Sequence, residues 1–253
     1  MSDTIVEISD DFWNVRGTFK LAGLIDIGTQ CSLVRLRSGS FVILDSYLPS
    51  EPILQRILQR TEGGKAVSAI LNLHPFHTVH VEPMAKRFPK AKLYGTRRHV
   101  ARAPQLKWEP IHTEDPELAP LFADDLEFSV PPGVDFIPSD EKLHFSSVLA
   151  FHPASRTLHV DDTLLTNPLP LIGGGVEFHM TFAKVLQQRP GAAEEFRGWA
   201  RELIERCREV EHLCTAHGRS LPPTPSEGHF AGSVQRALDK LAGKLAKHER
   251  RYG

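Results

Sequence analysis

The stretch from residue 50 to residue 96 constrains the fold most, because helix and strand patterns alternate in it. "SEPILQRILQRTEGG" has apolar residues at helical spacing, an early proline and a terminal glycine pair, which together predict a helix. "AVSAILNLH" then predicts a buried strand, "VEPMAKRFP" a short helix and "AKLYGT" another strand. Strands that alternate with helices usually pair in parallel. This part of the chain is therefore predicted to form a parallel sheet covered by helices.

The segments on either side of this stretch are predicted to add further strands and helices. "TIVEIS", "FWNVRGTF", "CSLVRLRSG" and "SFVILDS" are apolar, β-branched runs separated by turn residues, which favours antiparallel strands. "FSSVLAFHPASRTLHVDDTLL" predicts a hairpin, and "VEHLCTAHG" predicts one more strand. "AAEEFRGWARELIERCREV" predicts a helix with a continuous apolar stripe, and "HFAGSVQRALDKLAGKLAKHE" predicts a final helix. The fold class is accordingly α/β.

Composition narrows the range of functions. The formal net charge is -1, which predicts neither a nucleic-acid partner nor a membrane partner. Three cysteines, Cys31, Cys207 and Cys214, are too few for a disulfide framework and are interpreted as core residues in a reducing compartment. The acidic start "MSDTIVEISDDFW" differs from a signal peptide, and no apolar run approaches the roughly 18 residues of a membrane span. A cytoplasmic protein is expected.

Potential metal ligands follow three of the predicted strands. "NLHPFHTVH" contains three histidines just after the strand "AVSAIL", Asp161 and Asp162 follow another strand, and His217 follows a third. Strand ends that meet at one sheet edge bring such residues together, and imidazole and carboxylate groups are zinc ligands. The alternative is a histidine-rich surface turn. Two histidines without such a motif, His99 and His152, are expected at the surface.

The order of these segments resembles the metallo-β-lactamase fold superfamily over roughly residues 1 to 220. The resemblance is carried by "FVILDS", "ILNLHPFHTVH", "SSVLAFHPASRTLHVDDTLL" and "CTAHG", and points to a divergent branch with an eroded His-x-His-x-Asp-His motif. It implies a four-layer αββα sandwich with the site at one edge. It also implies a single domain over residues 1–253, with a C-terminal helical extension over 228–253.

The resemblance implies a set of metal ligands, residue by residue. Four residues match ligand positions of the family: His77, His80, Asp162 and His217. Pro75 and Val79 stand where the family has a histidine and the aspartate, so a site for one ion is expected instead of a site for two. Asp162 and His77 are assigned the catalytic roles. His74 and His144 are further candidate ligands.

The implied function is a metal-dependent hydrolase of a small molecule. One divalent ion, zinc first with iron or manganese as alternatives, would activate water for attack on an ester, thioester, amide or phosphodiester. Arg219 and His179 are candidate substrate-binding residues, and a homodimer is a further expectation. Two alternatives stay open. One is a catalytically inactive binding or scaffold protein whose metal site has decayed, and the other is a redox enzyme with iron at this site.

Overall fold

The computed structural model describes residues 3–21, 25–166, 175–217 and 229–253. The chain divides into two compact units. The first unit comprises Met1–Phe128 and Ala150–Ser155, and the second comprises Ser129–Leu149 and Arg156–Gly253. The expectation of a single domain remains a prediction. Within the described ranges, no helix is long and apolar enough to cross a membrane.

The first unit contains most of the strands. In chain order they are β1 (Thr4–Ser9), β2 (Phe12–Gly17), β3 (Lys20–Leu21), β4 (Ile25–Asp26), β5 (Thr29–Arg35), β6 (Phe41–Leu44), β7 (Val67–Leu71), β8 (Lys92–Tyr94), β9 (Glu127–Ser129) and β10 (Leu149–His152). Its helices are α1 (Glu51–Arg60), α2 (Val81–Arg87) and α3 (Arg97–Arg102), with 3₁₀ turns at Pro116–Leu121 and Pro153–Ser155.

Six of these strands form one mixed sheet in the order β1-β2-β5-β6-β7-β8. The pairs from β1 to β6 are antiparallel, whereas β7 is parallel to both β6 and β8. Ile70 of β7 is in register with Ile43 on one side and Leu93 on the other. The predicted change from antiparallel to parallel pairing is therefore confirmed.

One apolar face of this sheet is covered by helices α1 and α2. Leu54 and Leu58 of α1 and Met84 of α2 join the buried sheet residues in a single cluster. The helical spacing of the apolar residues in "EPILQRILQR" puts them on one side of α1, so that side is buried. Residues 72–80, which contain His74, His77 and His80, follow directly after β7 and are called the histidine segment.

The second unit contains four strands and three helices among the described residues. They are β11 (Thr157–Val160), β12 (Leu164–Thr166), β13 (Val176–Phe178), α4 (Phe182–Val185), α5 (Ala192–Arg206), β14 (His212–Thr215) and α6 (His229–Tyr252). The α5 and α6 helices are linked by a 2.7 Å ion pair between Arg197 and Glu249. An aromatic cluster lies beside α5 and comprises Phe145, Phe178, Phe182, Phe196 and Trp199.

Strands β11 and β14 of this unit pair in parallel, with Val160 opposite Thr215. Parallel strands have their C-terminal ends at the same edge of a sheet. The residues that follow them, Asp162 after β11 and His217 after β14, are therefore brought together. This is the convergence that the sequence pattern predicts for these two residues.

Two histidines expected at the surface are buried instead. His99 has 1% of its surface exposed because it completes the N-terminal cap of α3. His152 is 2% exposed because its ring lies 5.6 Å from that of Phe12 and its Nδ1 lies 2.7 Å from Ser155 Oγ. Both expectations were wrong, since a polar side chain can be buried when its nitrogens have hydrogen-bond partners.

The cysteines lie in the core as expected. Cys31, Cys207 and Cys214 are all buried free thiols. Burial raises the pKa of Cys31 to about 12, and the Asp45 carboxylate adds to this effect. Burial also raises the pKa of Cys207 to about 12. Thiols that stay protonated at neutral pH are poor nucleophiles and poor metal ligands, so these two are structural.

Candidate metal centre

A buried carboxylate faces two imidazoles in the second unit. Asp162 Oδ1 lies 3.2 Å from His217 Nε2, and Asp162 Oδ2 lies 3.6 Å from His144 Nδ1. The Asp162 side chain is 2% exposed, whereas both histidines are partly open to solvent. Each carboxylate oxygen thus has a different imidazole in front of it. The structure brings together Asp162 and His217, which the resemblance implies as ligands, and adds His144, which was only a further candidate.

The hydrogen bond of His144 fixes the orientation of its ring. Its Nε2 lies 2.8 Å from the carbonyl oxygen of Glu141, and a carbonyl can only accept. Nε2 therefore carries a proton, and Nδ1 is the ring nitrogen that faces the Asp162 carboxylate. Two acceptors that face each other repel unless a proton or a cation lies between them. Metal-binding histidines commonly donate their second nitrogen to a backbone carbonyl in this way.

The groups around Asp162 are of the kinds that bind a divalent metal ion. Ligand atoms that are each about 2.0–2.2 Å from a tetrahedral zinc lie about 3.3–3.6 Å apart. The 3.2 Å distance joins His217 Nε2 to Asp162 Oδ1, and the 3.6 Å distance joins His144 Nδ1 to Asp162 Oδ2, so each is close to this range at a different oxygen of the carboxylate. Two imidazoles and one carboxylate also form a known catalytic zinc donor set, which leaves one position open. The second unit therefore brings one carboxylate and two imidazoles, which are donors that a divalent metal takes, to one place.

His179 interacts electrostatically with Asp162, His144 and His217, but its ring is arranged to donate a hydrogen bond. Its Nδ1 accepts a hydrogen bond from the backbone N–H of Thr181 at 3.3 Å and lies 2.8 Å from the Thr181 hydroxyl. Burial lowers the pKa of His179 below its ordinary value, although the Asp162 carboxylate opposes this shift. The ring is therefore neutral at pH 7 with its proton on Nε2. That nitrogen is a hydrogen-bond donor, which suits the predicted substrate-binding role better than a ligand role.

The first unit holds the histidine segment. The rings of His74 and His77 are stacked with centroids 4.1 Å apart, and a ligand nitrogen of each lies within 4.8 Å of one on the other. His74 Nδ1 accepts from the Phe76 N–H at 3.2 Å. His74 is fully buried, and Val79, which stands where the family has an aspartate, is 68% exposed. The pair offers two neighbouring imidazoles, while Val79 contributes no polar group.

His80 is held by other groups of the first unit. Its Nδ1 accepts from the backbone N–H of Leu48 at 3.3 Å, and its ring packs edge-on against Tyr47 at 4.9 Å. Burial lowers the pKa of His80, although Asp3 opposes this shift. A neutral ring that accepts at Nδ1 carries its proton on Nε2. Metal binding by His80 would therefore require this hydrogen bond to be exchanged, and its ligand role stays a prediction.

Asp161 precedes Asp162 in the chain, and Arg219 lies two positions after His217. Asp161 is buried, and one of its oxygens lies within 4.8 Å of a ring nitrogen of His159, which is also buried. Arg219, the other candidate substrate-binding residue, lies outside the described residues. The described part of the site therefore depends on Asp162, His144 and His217, with His179 nearby.

Comparison with known proteins gives results at the level of the fold. No protein-family model matches the sequence, and no curated protein matches it. The structure is similar to a metallo-β-lactamase from Pontibacter korlensis, at 12% identity and a TM-score of 0.57 over 94% of this chain and 99% of that one. It is also similar to FIM-1 from Pseudomonas aeruginosa in its mono-zinc form, at 11% identity and a TM-score of 0.58 over 95% and 96%.

A third similar structure is a metallo-β-lactamase from Erythrobacter litoralis with β-mercaptoethanol in the active site. The identity is 16%, and the TM-score is 0.59 over 94% of this chain and 95% of the other. The chain has the metallo-β-lactamase fold. The predicted αββα fold class is confirmed, and a divergent sequence on this fold agrees with the eroded histidine motif.

Proposed function

We propose that this chain is a metal-dependent hydrolase of a small molecule and that it holds one divalent ion at Asp162, His217 and His144. The observation that carries the proposal is the buried Asp162 carboxylate, which has His217 Nε2 at 3.2 Å from one oxygen and His144 Nδ1 at 3.6 Å from the other. The resemblance also implies His77 and His80 as ligands, and the variants His77→Gln and His80→Gln, assayed in the same way, test that expectation.

The proposed chemistry uses the coordination position that Asp162, His144 and His217 would leave open on the ion. A bound zinc lowers the pKa of a coordinated water to about 7 and so supplies a nucleophile at neutral pH. Asp162, His144 and His217 would hold the ion. The hydrogen bond from His144 to the Glu141 carbonyl keeps the His144 ring directed at Asp162. His179 donates from Nε2 to an oxygen of the substrate. An ester, thioester, amide or phosphodiester offers such an oxygen.

The comparisons support a single ion. The similar structure of FIM-1 is a mono-zinc form, so this fold accommodates one zinc in at least one solved protein. In the present chain, Pro75 and Val79 lack metal-binding side chains at two positions where the family has ligands. A mononuclear zinc site is the form of the proposal that agrees with both facts.

The test is hydrolysis by protein loaded with one equivalent of zinc. Chromogenic esters, thioesters, amides and phosphodiesters are supplied with and without a chelator, and with the variants Asp162→Asn and His217→Gln. We expect one substrate class to be hydrolysed, with activity lost to chelator and in both variants. His229→Gln is the matched control, since His229 is an exposed histidine of α6.

Two results would contradict the proposal. One is hydrolysis that survives both the chelator and the two variants, because the site described would then play no part in it. The other is zinc that binds without any hydrolysis of the four substrate classes. That second result would favour the binding or scaffold protein that the sequence leaves as an alternative.

A further inference from the structure

The loop that carries His74 and His77 is held from one side by α3. The Arg98 guanidinium donates to the carbonyl oxygen of Pro75 at 3.1 Å and stacks over the Phe76 ring at 4.4 Å. The next residue, His99, has its Nε2 3.3 Å from the carbonyl oxygen of His77. Two consecutive residues of one helix therefore contact three residues of the loop.

The direction of the His99 hydrogen bond is fixed at the other end of the ring. Its Nδ1 accepts from the backbone N–H of Thr96 at 3.2 Å, which forms a capping box at the start of α3. A neutral ring that accepts at Nδ1 must carry its proton on Nε2, so His99 donates to His77. The imidazole links the first turn of α3 to the backbone of His77.

The surroundings of His99 keep the ring in this orientation. It is buried, and its ring centroid lies 6.1 Å from that of Trp108. The Trp108 indole N–H donates to the carbonyl of Ala103 just after α3. Gly95 lets Trp108 approach, because a Cβ at that position would lie 2.5 Å from Cζ3 of the indole. The ring thus has little room to turn away from His77.

We propose that Arg98 and His99 are positioning residues that fix the backbone of residues 75–77 and so fix the direction of the His77 imidazole. Neither residue touches substrate in this assignment, and both act through the loop. The consequence for metal binding rests on the proposed function together with the ligand role that the resemblance implies for His77. The effect on the loop itself is independent of any metal.

The capping box supplies a matched pair of variants. Glutamate and glutamine are both accepted at this third helical position, because either side chain can accept from the Thr96 N–H. Glutamine keeps a donor for the His77 carbonyl, whereas glutamate offers acceptors only. His99→Glu therefore removes the proposed contact while it retains the cap, and His99→Gln is the rescue. Arg98→Met is a second test, with Arg97→Gln as control because Arg97 pairs with Glu114 and Asp115.

The first measurement is amide hydrogen exchange of the metal-free protein, resolved for the loop and for β7. Loss of one hydrogen bond is expected to speed exchange at residues 76–79 by about 2- to 12-fold in His99→Glu and Arg98→Met. His99→Gln and Arg97→Gln should match the wild type, and β7 should be unchanged in all four. Equal exchange in the Glu and Gln variants would overturn the proposal, and so would faster exchange spread equally over β7.

The second measurement is zinc affinity by competition with a chromophoric chelator. Substitution of a group that orients a metal ligand typically weakens metal affinity by about 10- to 100-fold. The effect of His99→Glu is expected near the lower end, because His99 acts on His77 through the backbone. If the wild type binds no zinc, the proposed function fails, and the exchange result alone decides whether α3 positions the loop. If zinc binds equally to the Glu variant and the wild type, His77 is not positioned by His99 for that ion.

Discussion

Replacing Asp162 with asparagine tests the metal centre with the smallest change of shape. The introduced amide keeps the size of the side chain but removes the charge that faces His217 at 3.2 Å and His144 at 3.6 Å. Its nitrogen can donate to the lone pair on His144 Nδ1, so the zinc-free variant is expected to fold. What it loses is an anionic zinc ligand.

The magnitude follows from mass action. Zinc at 100 times its dissociation constant stabilises the folded wild type by about 2.7 kcal/mol. Loss of a group that only hydrogen-bonds to a metal ligand weakens metal affinity by up to about 100-fold. Removal of the carboxylate ligand itself should therefore weaken zinc affinity at least as much. At the same zinc concentration the variant would then gain only about 0.4 kcal/mol. The expected difference in zinc-dependent stabilisation is about 2.3 kcal/mol.

The assay is urea unfolding of both proteins with and without zinc. Asp239→Asn is the control, because Asp239 is an exposed carboxylate of α6 whose Oδ1 accepts a hydrogen bond from the Gln235 side chain at 2.8 Å. This variant should keep the full zinc effect. The reasoning is refuted if zinc stabilises Asp162→Asn as strongly as the wild type, because the buried carboxylate would then not be a ligand.

Three further predictions concern the fold around the site. Gly95→Ala should lower the free energy of unfolding by about 1–3 kcal/mol, because the new Cβ would lie 2.5 Å from Trp108. The control is Gly198→Ala in α5, where the new Cβ has open space, so this variant should be neutral or stabilising. Urea unfolding measures both, and equal effects of the two substitutions would contradict the prediction. Burial lowers the pKa of His152 below its ordinary 6.5, so the unfolded chain binds more protons than the folded chain and stability should fall as the pH drops below about 6.5. Urea unfolding between pH 7 and pH 5 should show a smaller fall in stability for His152→Gln than for the wild type. An equal fall would show that His152 is not its source. Phe196→Ala should cost about 3–5 kcal/mol in thermal or urea unfolding, since the ring is fully buried in the aromatic cluster, and a cost below about 1 kcal/mol would show that the cluster repacks.

Local sequence patterns were sufficient for the elements that position the site. The helical spacing in "EPILQRILQR" and the apolar run of β7 both appear as predicted. The approach of His217 to Asp162 was also predictable, because both follow strands and parallel strands end at one edge. These features depend on periodicity and chain order, which a single sequence contains.

The contacts that decide the chemistry depend on tertiary structure. Nothing near His144 in the sequence indicates that the Glu141 carbonyl will accept its Nε2 proton and turn Nδ1 toward Asp162. His99 looked like a surface residue because its partners are a cap three residues earlier and a carbonyl 22 residues earlier. The pattern Thr96-x-x-His99 was a usable signal for the cap, but histidine is not the usual residue at its last position.

The central claim is that Asp162, His217 and His144 hold one divalent metal ion. Elemental analysis of untagged protein by plasma mass spectrometry, purified without chelator, tests this claim most directly when the wild type is compared with Asp162→Asn. We expect about one zinc, iron or manganese per wild-type chain and a clear loss in the variant. A wild type without metal that takes up none when zinc is added, or a variant with the full wild-type content, would contradict the claim.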